Sequence, residues 1–393
     1  MRLVFDMQAF QSVNKTGGIG RFNSAFLLEL VDQWPEQQFD LILNGTLGLI
    51  PSITEIFRNQ DRIKSIDYLP GNDLNKANKG IFINQVKPKK GDIFHILSPL
   101  EPQSHTVIHH PNSDCLVVST IYDFIPFLFQ DQYLPSRQDV ENYMERIALL
   151  KKCDYFFSIS DQTKTDAVNI LQVPADKILN IGIAPSEAFY NFQGKEKTQS
   201  REVLHRLGIP SKFILSVSNL DPRKNLTRLI EAYCQLPALI RNEYYLLLVS
   251  NTPVELLVAN SDLTKLLEKD EAKNIRILYS ISDTLLNSLY NNCSLFIMAS
   301  LYEGGGLPII EAQRCGAPVI ASNSSSLPEF LGNKLGLFDP KDVTEISSKM
   351  EEVLINQHLA DRFRKDGEAY SAQYNWKTIV TNVKEAYRKI IES

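Results

Sequence analysis

Two carboxylates stand eight positions apart across a glycine run in Tyr302-Glu303-Gly304-Gly305-Gly306-Leu307-Pro308-Ile309-Ile310-Glu311. Glycine lets backbone N–H groups approach a ligand closely, and Pro308 suits the first turn of a helix. A helix N-terminus favours negative charge by roughly 0.3–1 kcal/mol. The run therefore reads as a loop entering a helix, with Glu303 in the loop and Glu311 about one turn inside. Such a layout can hold a hydroxyl-rich, phosphate-bearing ligand. Phosphate repels carboxylate, so the natural partners of Glu303 and Glu311 are sugar and ribose hydroxyls. An isolated pair of acidic residues flanking a glycine turn also arises by chance, and the motif alone leaves both readings open.

Other segments carry complementary chemistry. Leu215-Ser216-Val217-Ser218-Asn219-Leu220-Asp221-Pro222-Arg223-Lys224-Asn225-Leu226 sets two adjacent cations between a strand and a helix start. Arg223 offers a planar fork and Lys224 a point charge, and both suit a diphosphate. A solvated basic helix start is the plainer alternative. Thr16-Gly17-Gly18-Ile19-Gly20-Arg21-Phe22 follows the opening strand and leads into an apolar-periodic helix. Loops of that kind meet phosphate in Rossmann-type folds, although this spacing is not the dinucleotide fingerprint, and a plain tight turn stands beside that reading. Phe94-His95-Ile96-Leu97-Ser98-Pro99-Leu100-Glu101 and Thr120-Ile121-Tyr122-Asp123-Phe124-Ile125-Pro126 put polar groups at the carboxyl ends of strands, the edge where open α/β sheets bind ligands. His109-His110 has no carboxylate or cysteine at ligand spacing beside it, and no metal site is expected.

Short apolar runs alternate with amphipathic segments along the whole chain, the pattern of parallel sheets covered by helices on both faces. In the first half the pattern predicts strands near residues 2–6, 39–43, 65–69, 92–96, 117–122, 154–159 and 178–183, with helices near 19–33, 74–85, 136–152 and 161–171. In the second it predicts strands near 213–218, 245–250, 275–279, 294–298 and 317–321, with helices near 225–235, 253–268, 282–292 and 308–316. The polar stretch beginning Asn191-Phe192-Gln193-Gly194 reads as an interdomain connection. The expected organisation is a Rossmann-like domain over 1–190, a linker over 191–208, a second Rossmann-like domain over 209–374, and a closing helix over 375–393.

At 393 residues the chain is long for one core and comfortable for two. With 44% apolar and 22% charged residues it is an ordinary globular composition, which sets aside disordered and collagen-like classes. The net charge is −5; residues 1–190 hold 17 basic and 22 acidic side chains and the remainder 24 of each, so neither half suggests nucleic acid. Five scattered cysteines without a C-x-x-C pair read as reduced thiols of a cytoplasmic protein. The opening Met1-Arg2-Leu3-Val4-Phe5-Asp6 reads as a strand rather than a secretion leader, and no run of 18 apolar residues occurs to span a membrane.

Glu303 through Glu311-Ala312, continuing into Cys315-Gly316-Ala317-Pro318-Val319-Ile320-Ala321-Ser322, resembles the signature of the retaining glycosyltransferases of family 4. Gly305 stands where that family usually carries an aromatic residue, and Tyr122-Asp123 where many bacterial polysaccharide enzymes carry His-Asp. The resemblance implies the GT-B architecture, two facing Rossmann-like doubly wound domains with a cleft between them and a closing helix that returns to the first. It implies transfer of a sugar from a nucleoside diphosphate donor to a hydroxyl of a glycan or lipid-linked saccharide, with no cofactor and no metal. GDP-mannose is the first expectation for the donor and a UDP-sugar the second.

By the same resemblance Glu311 would bind ribose, and Arg223 and Lys224 the diphosphate, the pair assigned there because Asn219 stands where many relatives carry the arginine. Glu303 and the amides of Gly304, Gly305, Gly306 and Leu307 would bind the sugar. Gly17, Gly18 and Gly20 would approach the diphosphate from the first domain, Tyr122 the donor sugar and Asp123 the acceptor. For His95 an acceptor contact and a structural histidine stay equally open. A cytoplasmic location is expected, with peripheral attachment to the inner membrane face left open. Two other classes share features of the pattern: a nucleotide-sugar epimerase, and a glycan-binding protein that has lost catalysis.

Overall fold

Strands buried on both faces need no polar alternation, and the runs read as strands are apolar almost throughout. The structure, a computed structural model, describes residues 2–11, 18–44, 61, 63–69, 81–83, 88–100, 109–111, 114–253 and 261–392. It divides into two compact units, Met1–Ala184 with Asn375–Ser393, and Pro185–Tyr374.

The first unit contains β1 (Leu3–Asp6), β2 (Phe39–Asn44), β3 (Ile63–Leu69), β4 (Ile81–Ile83), β5 (Ile93–Leu97), β6 (His109–Pro111), β7 (Leu116–Ile121), β8 (Tyr155–Ser158) and β9 (Ile178–Asn180). Its main sheet is parallel with the order β3-β2-β1-β5-β7-β8-β9, and β4 and β6 pair separately. The order grows one way from β1 and then the other, so a topological switch lies between β1 and β5. One face buries Val4, Ile42, Phe94, Ile96, Ile147 and Phe156 in a common core. The Arg137–Leu150 helix begins at a capping box in which Ser136 and Asp139 satisfy each other's backbone N–H, and Asp161–Leu171 begins at Ser160. The last helix, Trp376–Glu392, turns a stripe of Trp376, Ile379, Val380, Val383, Ala386, Tyr387 and Ile390 inward.

The second unit holds β10 (Phe213–Val217), β11 (Tyr245–Ser250), β12 (Ile275–Tyr279), β13 (Leu295–Met298), β14 (Val319–Ser322) and β15 (Leu337–Phe338). They form a parallel sheet in the order β12-β11-β10-β13-β14-β15, the doubly wound arrangement, with its switch between β10 and β13. Leu226, Leu229, Ile230 and Tyr233 of the Leu226–Gln235 helix pack with Ile214, Leu246, Leu295 and Ile297 of the strands.

Two expected elements differ. Residues 81–83 of the expected 74–85 helix form β4, whose β-branched and aromatic Ile81-Phe82-Ile83 favours a strand; residues 74–80 and 84–85 lie outside the described residues. Within the expected 191–208 linker, Gly194–Arg206 is a helix of the second unit. Its Lys, Glu, Gln and Arg are good helix formers, and Ser200 and Leu204 alone on it are buried, so its apolar periodicity is faint. Of the expected 253–268 helix, Ser261–Leu267 is helical, and residues 254–260 lie outside the described residues. Among the described residues no helix is long and apolar enough to cross a membrane.

Candidate active site

The switch of the second sheet sets the loops after β10 and β13 side by side. Leu301 N–H donates to the Arg223 carbonyl at 2.7 Å, and Asn225 Nδ2 donates to the Ala299 carbonyl at 3.0 Å and the Pro340 carbonyl at 2.7 Å. Asn225 takes a left-handed φ of 60° that asparagine tolerates better than most residues, and so turns the short 3-10 turn Pro222–Lys224 into the helix that follows. That turn aims both cations at the neighbouring loop.

Arg223 donates an NH1 hydrogen to Glu303 Oε2 at 2.6 Å and another to the Tyr302 carbonyl at 3.0 Å, while Lys224 Nζ donates to Glu303 Oε1 at 2.6 Å. Asp221 Oδ2 lies 3.3 Å from Arg223 Nε. Glu303 is 7% exposed. Burial alone would raise its carboxyl, but the charges of Lys224 and Arg223, with hydrogen bonds from Lys224 and Ser300, outweigh burial and hold it below its ordinary range. Glu303, Arg223 and Lys224 are thus one charge cluster, with Glu303 occupying donors that the sequence reserved for phosphate.

Glu311 sits in the Leu307–Arg314 helix, half-buried, and accepts from Tyr290 Oη at 3.1 Å. Burial, followed by the charge of Glu311, pushes the Tyr290 phenol well above its ordinary range, so it remains a donor. Pro308 occupies the first turn of that helix and Gly306 caps it. None of Gly304, Gly305 and Gly306 adopts a left-handed φ. The requirement at Gly306 is steric instead: a Cβ there would meet Phe330 at 2.7 Å. Gly305 and Leu307 are half-buried, Gly304 and Gly306 buried, and the Asn219 side chain is exposed at the end of β10.

In the first unit Gly18 opens the Gly18–Gln33 helix and Gly20 is buried in its first turn, while Gly17 lies outside the described residues. Tyr122 donates to Asn23 Oδ1 and packs edge-on against Phe22. Asp123 is half-buried and accepts from the Ile125 N–H at 2.9 Å. Of the two readings left open for His95, the geometry is that of a buried, fully hydrogen-bonded histidine. It has no exposure, Nδ1 meets Tyr387 Oη at 2.5 Å, Nε2 meets Thr120 Oγ1 at 2.7 Å, and burial lowers its pKa to about 3. Among the described residues no three His, Cys, Asp or Glu side chains converge as a metal site.

Sequence reasoning passed over three groups that matter here. Asn225 carries a signal in retrospect, an αL-tolerant residue directly before an apolar helix. Ser324, Ser325 and Ser326 precede the Leu327–Leu331 helix, a common place for serine, and all three bond to the Glu303 loop. Asp6 ends β1 with 1% exposure, clamped by Gln8 N–H and Nε2, and burial outweighs those bonds to raise its pKa to about 7.

Residues 202–370 match the family described as Glycosyl transferases group 1. The O-antigen chain mannosyltransferase B of Escherichia coli is 30% identical over 275 residues, covering 69% of this chain and 70% of that protein. The chain belongs to the group 1 glycosyltransferases. The serotype-specific mannosyltransferase WbdA of Escherichia coli is 29% identical over 415 residues, all of this chain but 48% of that protein. A second WbdA is 32% identical over 81% of this chain and 39% of its own length, so the chain spans less than half of these curated relatives.

Solved structures of this glycosyltransferase fold superpose along the chain. HepE of Anabaena in complex with UDP and glucose gives a TM-score of 0.69 at 15% identity, over 99% of this chain and 100% of that one. Sucrose-phosphate synthase from Thermosynechococcus elongatus gives 0.68 at 18% identity, over 100% of each chain. WaaG, a glycosyltransferase involved in lipopolysaccharide biosynthesis, gives 0.62 at 14% identity, over 98% of each. The expected family and GT-B fold class are borne out.

Proposed function

We propose that this group 1 glycosyltransferase moves mannose, with retention of configuration and without a metal ion, from GDP-mannose to a hydroxyl of a glycan or lipid-linked saccharide during polysaccharide assembly. The observation that carries the reading is the Arg223–Glu303–Lys224 cluster at the carboxyl-end switch of a doubly wound sheet, where such sheets bind nucleotides. Similarity to WbdA and O-antigen chain mannosyltransferase B supports mannose as the sugar.

In this reading Glu311 binds the ribose hydroxyls, and Glu303 with the 304–307 backbone binds the sugar. Asn219 serves the donor phosphates on the second unit, and Gly18, Gly20, Tyr122 and Asp123 are the candidate ligand residues of the first. Arg223 and Lys224 take the diphosphate as negative charge builds on it in the transition state, the role a metal has elsewhere. Lys224 spends one of its three N–H donors on Glu303, which leaves donors for phosphate. The leaving phosphate itself takes the acceptor proton, consistent with attack on the face it departs from. An acceptor carried on a lipid would bring the protein to the cytoplasmic face of the inner membrane.

Thermal unfolding with GDP, UDP, ADP and dTDP, with and without their sugars, tests the donor. A ligand at about a hundred times its Kd adds about 2.7 kcal/mol, so the true nucleotide stands out. GDP should raise the transition and Lys224→Ala should abolish the shift. A shift with UDP alone assigns a UDP-sugar instead, and donor turnover without acceptor points to an epimerase. No shift with any nucleotide overturns the transferase reading in favour of a glycan-binding protein.

A further inference from the structure

The loop bearing Glu303 is gripped by a segment more than twenty positions away. Ser324 Oγ donates to the Leu301 carbonyl at 2.5 Å, Ser325 Oγ accepts from the Glu303 N–H at 2.8 Å, and Ser326 Oγ donates to the Glu303 carbonyl at 2.9 Å. Both backbone polar groups of Glu303 are therefore tied to consecutive serines. Ser325 makes its bond with a φ of 50°, in the left-handed region that non-glycine residues rarely occupy. Such a conformation persists where the surroundings over-determine it, and it clusters at functional sites. The helix that follows, Leu327–Leu331, braces the other end of the same loop, because fully buried Phe330 fills the space where a Cβ on Gly306 would lie.

We infer that Ser325, flanked by Ser324 and Ser326, is a positioning residue for transfer. With the N–H and carbonyl of residue 303 fixed, only the glutamate side-chain torsions remain to be set, and the two 2.6 Å contacts to Arg223 and Lys224 set them. The serine clasp thereby fixes where the carboxylate and both cations stand relative to one another. Reaction rates respond steeply to displacement of such groups, with about a hundredfold loss for a 1 Å error. A fold-level role would require only that the 324–326 turn be made. A positioning role requires the Ser325 oxygen itself. The inference rests on the transferase reading above.

Ser325→Gly separates the two roles, because glycine adopts a φ of 50° freely yet has no oxygen to offer. The expected result has three parts: a Tm equal to or above that of the unsubstituted chain, amide exchange in the 300–306 peptide faster by about tenfold, and kcat for transfer from GDP-mannose to a fluorescent α-mannobioside lower by about tenfold with donor KM within about threefold. Unchanged exchange overturns the clasp. Faster exchange with kcat within about twofold of the unsubstituted protein overturns the positioning role. If the unsubstituted protein transfers from neither GDP-mannose nor UDP-glucose, the functional reading fails by itself, and the exchange rate decides whether the clasp holds the loop.

Discussion

If Arg223 and Lys224 take the donor diphosphate as proposed, Glu303 competes with it, because its two oxygens already hold an N–H from Arg223 and one from Lys224. Together with Asp221 the four side chains sum to zero charge. Glu303→Gln would leave the cluster at +1 and replace a charged acceptor by a weaker one. Three effects should follow. GDP should bind about threefold to tenfold tighter, since the cations no longer face a rival carboxylate. Transfer should fall by about a hundredfold, about 3 kcal/mol of transition-state stabilisation, because the sugar loses its anionic partner. The ligand-free protein should lose about 1–3 kcal/mol, as two mostly buried cations are left under-partnered, and saturating GDP should restore it. The pH dependence has a definite sign. Glu303 is held below its ordinary value of 4.5, so its contribution is complete above that pH and is lost as the pH falls through the lower folded value; the Gln variant should lack this acid limb. Titration calorimetry with GDP, a transfer assay and melting curves from pH 3 to 7 measure the three effects. Weaker GDP binding in the variant would mean that Glu303 orders the cations more than it opposes phosphate.

Neighbouring strands can carry opposite proton accounts, and β1 and β5 do. Phe5 and His95 are register partners, and Asp6 is the next residue along β1. Buried Asp6 has its pKa raised from 3.8 to about 7, and buried His95 has its own lowered from 6.5 to about 3. Between about pH 4 and 6.5 the folded unit keeps a proton on Asp6 that the unfolded chain has lost, while the unfolded chain takes a proton on histidine that the folded unit refuses. Each contributes a slope of up to about 1.4 kcal/mol per pH unit, of opposite sign, so together they nearly cancel. Asp6→Asn removes one of the two. The variant should be more stable than the parent at pH 8, where the parent buries a charge, and should lose stability as the pH drops from 6.5 toward 4. Both tryptophans of the chain, Trp34 and Trp376, belong to the first unit, so urea titrations followed by tryptophan fluorescence read this unit directly. A parent whose stability falls with pH as steeply as the variant's would show that the proton does not reside on Asp6, and a flat profile in the variant would show that folded His95 does not refuse a proton. The sequence displayed Asp6 and His95 as polar residues in apolar strands, but not the partner of His95: Tyr387 lies 292 positions away. Local pattern marked most of the strands, because doubly buried strands are apolar runs, and it marked Glu303, Arg223 and Lys224, because charged residues beside glycine and proline interrupt such runs. It could not show that these three meet, nor that Ser325 reaches back 22 positions to the Glu303 N–H. The Gly194–Arg206 helix escaped for the opposite reason, since its polar surface resembles a linker until propensity is weighed against apolar periodicity.

The first unit is assembled from two distant parts of the chain, and its stability should therefore depend on the second of them. The Trp376–Glu392 helix contributes Trp376, Ile379, Val380, Val383, Ala386, Tyr387 and Ile390 to the interior. Trp376 packs on Phe22 with ring centroids 5.3 Å apart, Tyr387 lies 5.2 Å from Phe157 and 6.2 Å from Trp34, and Tyr387 Oη completes the hydrogen bonding of His95. Asn382 Nδ2 donates to the Ile181 carbonyl at 3.2 Å, and Lys384 Nζ to the Gln33 carbonyl at 3.1 Å. At about 1.5–3 kcal/mol for each large apolar side chain buried, the stripe supplies on the order of 10 kcal/mol, comparable with the whole stability of a typical domain. The second unit has no such dependence, because residues 185–374 are continuous and carry their own core, and Tyr374 bonds within it to the Glu329 carbonyl at 3.1 Å. A chain cut after Tyr374 should lose the cooperative transition reported by the fluorescence of Trp34, its remaining tryptophan, while calorimetry still shows a second transition that GDP shifts upward. Limited proteolysis should degrade residues 1–184 and leave a fragment near 185–374. Transfer activity should vanish with donor binding retained, since the residues assigned to donor phosphate and ribose on the second unit are all present. A truncated chain that keeps the Trp34 transition would mean that the first sheet, with the helices packed on it from 18 to 171, is stable without its last helix, and the apolar stripe would then need another explanation.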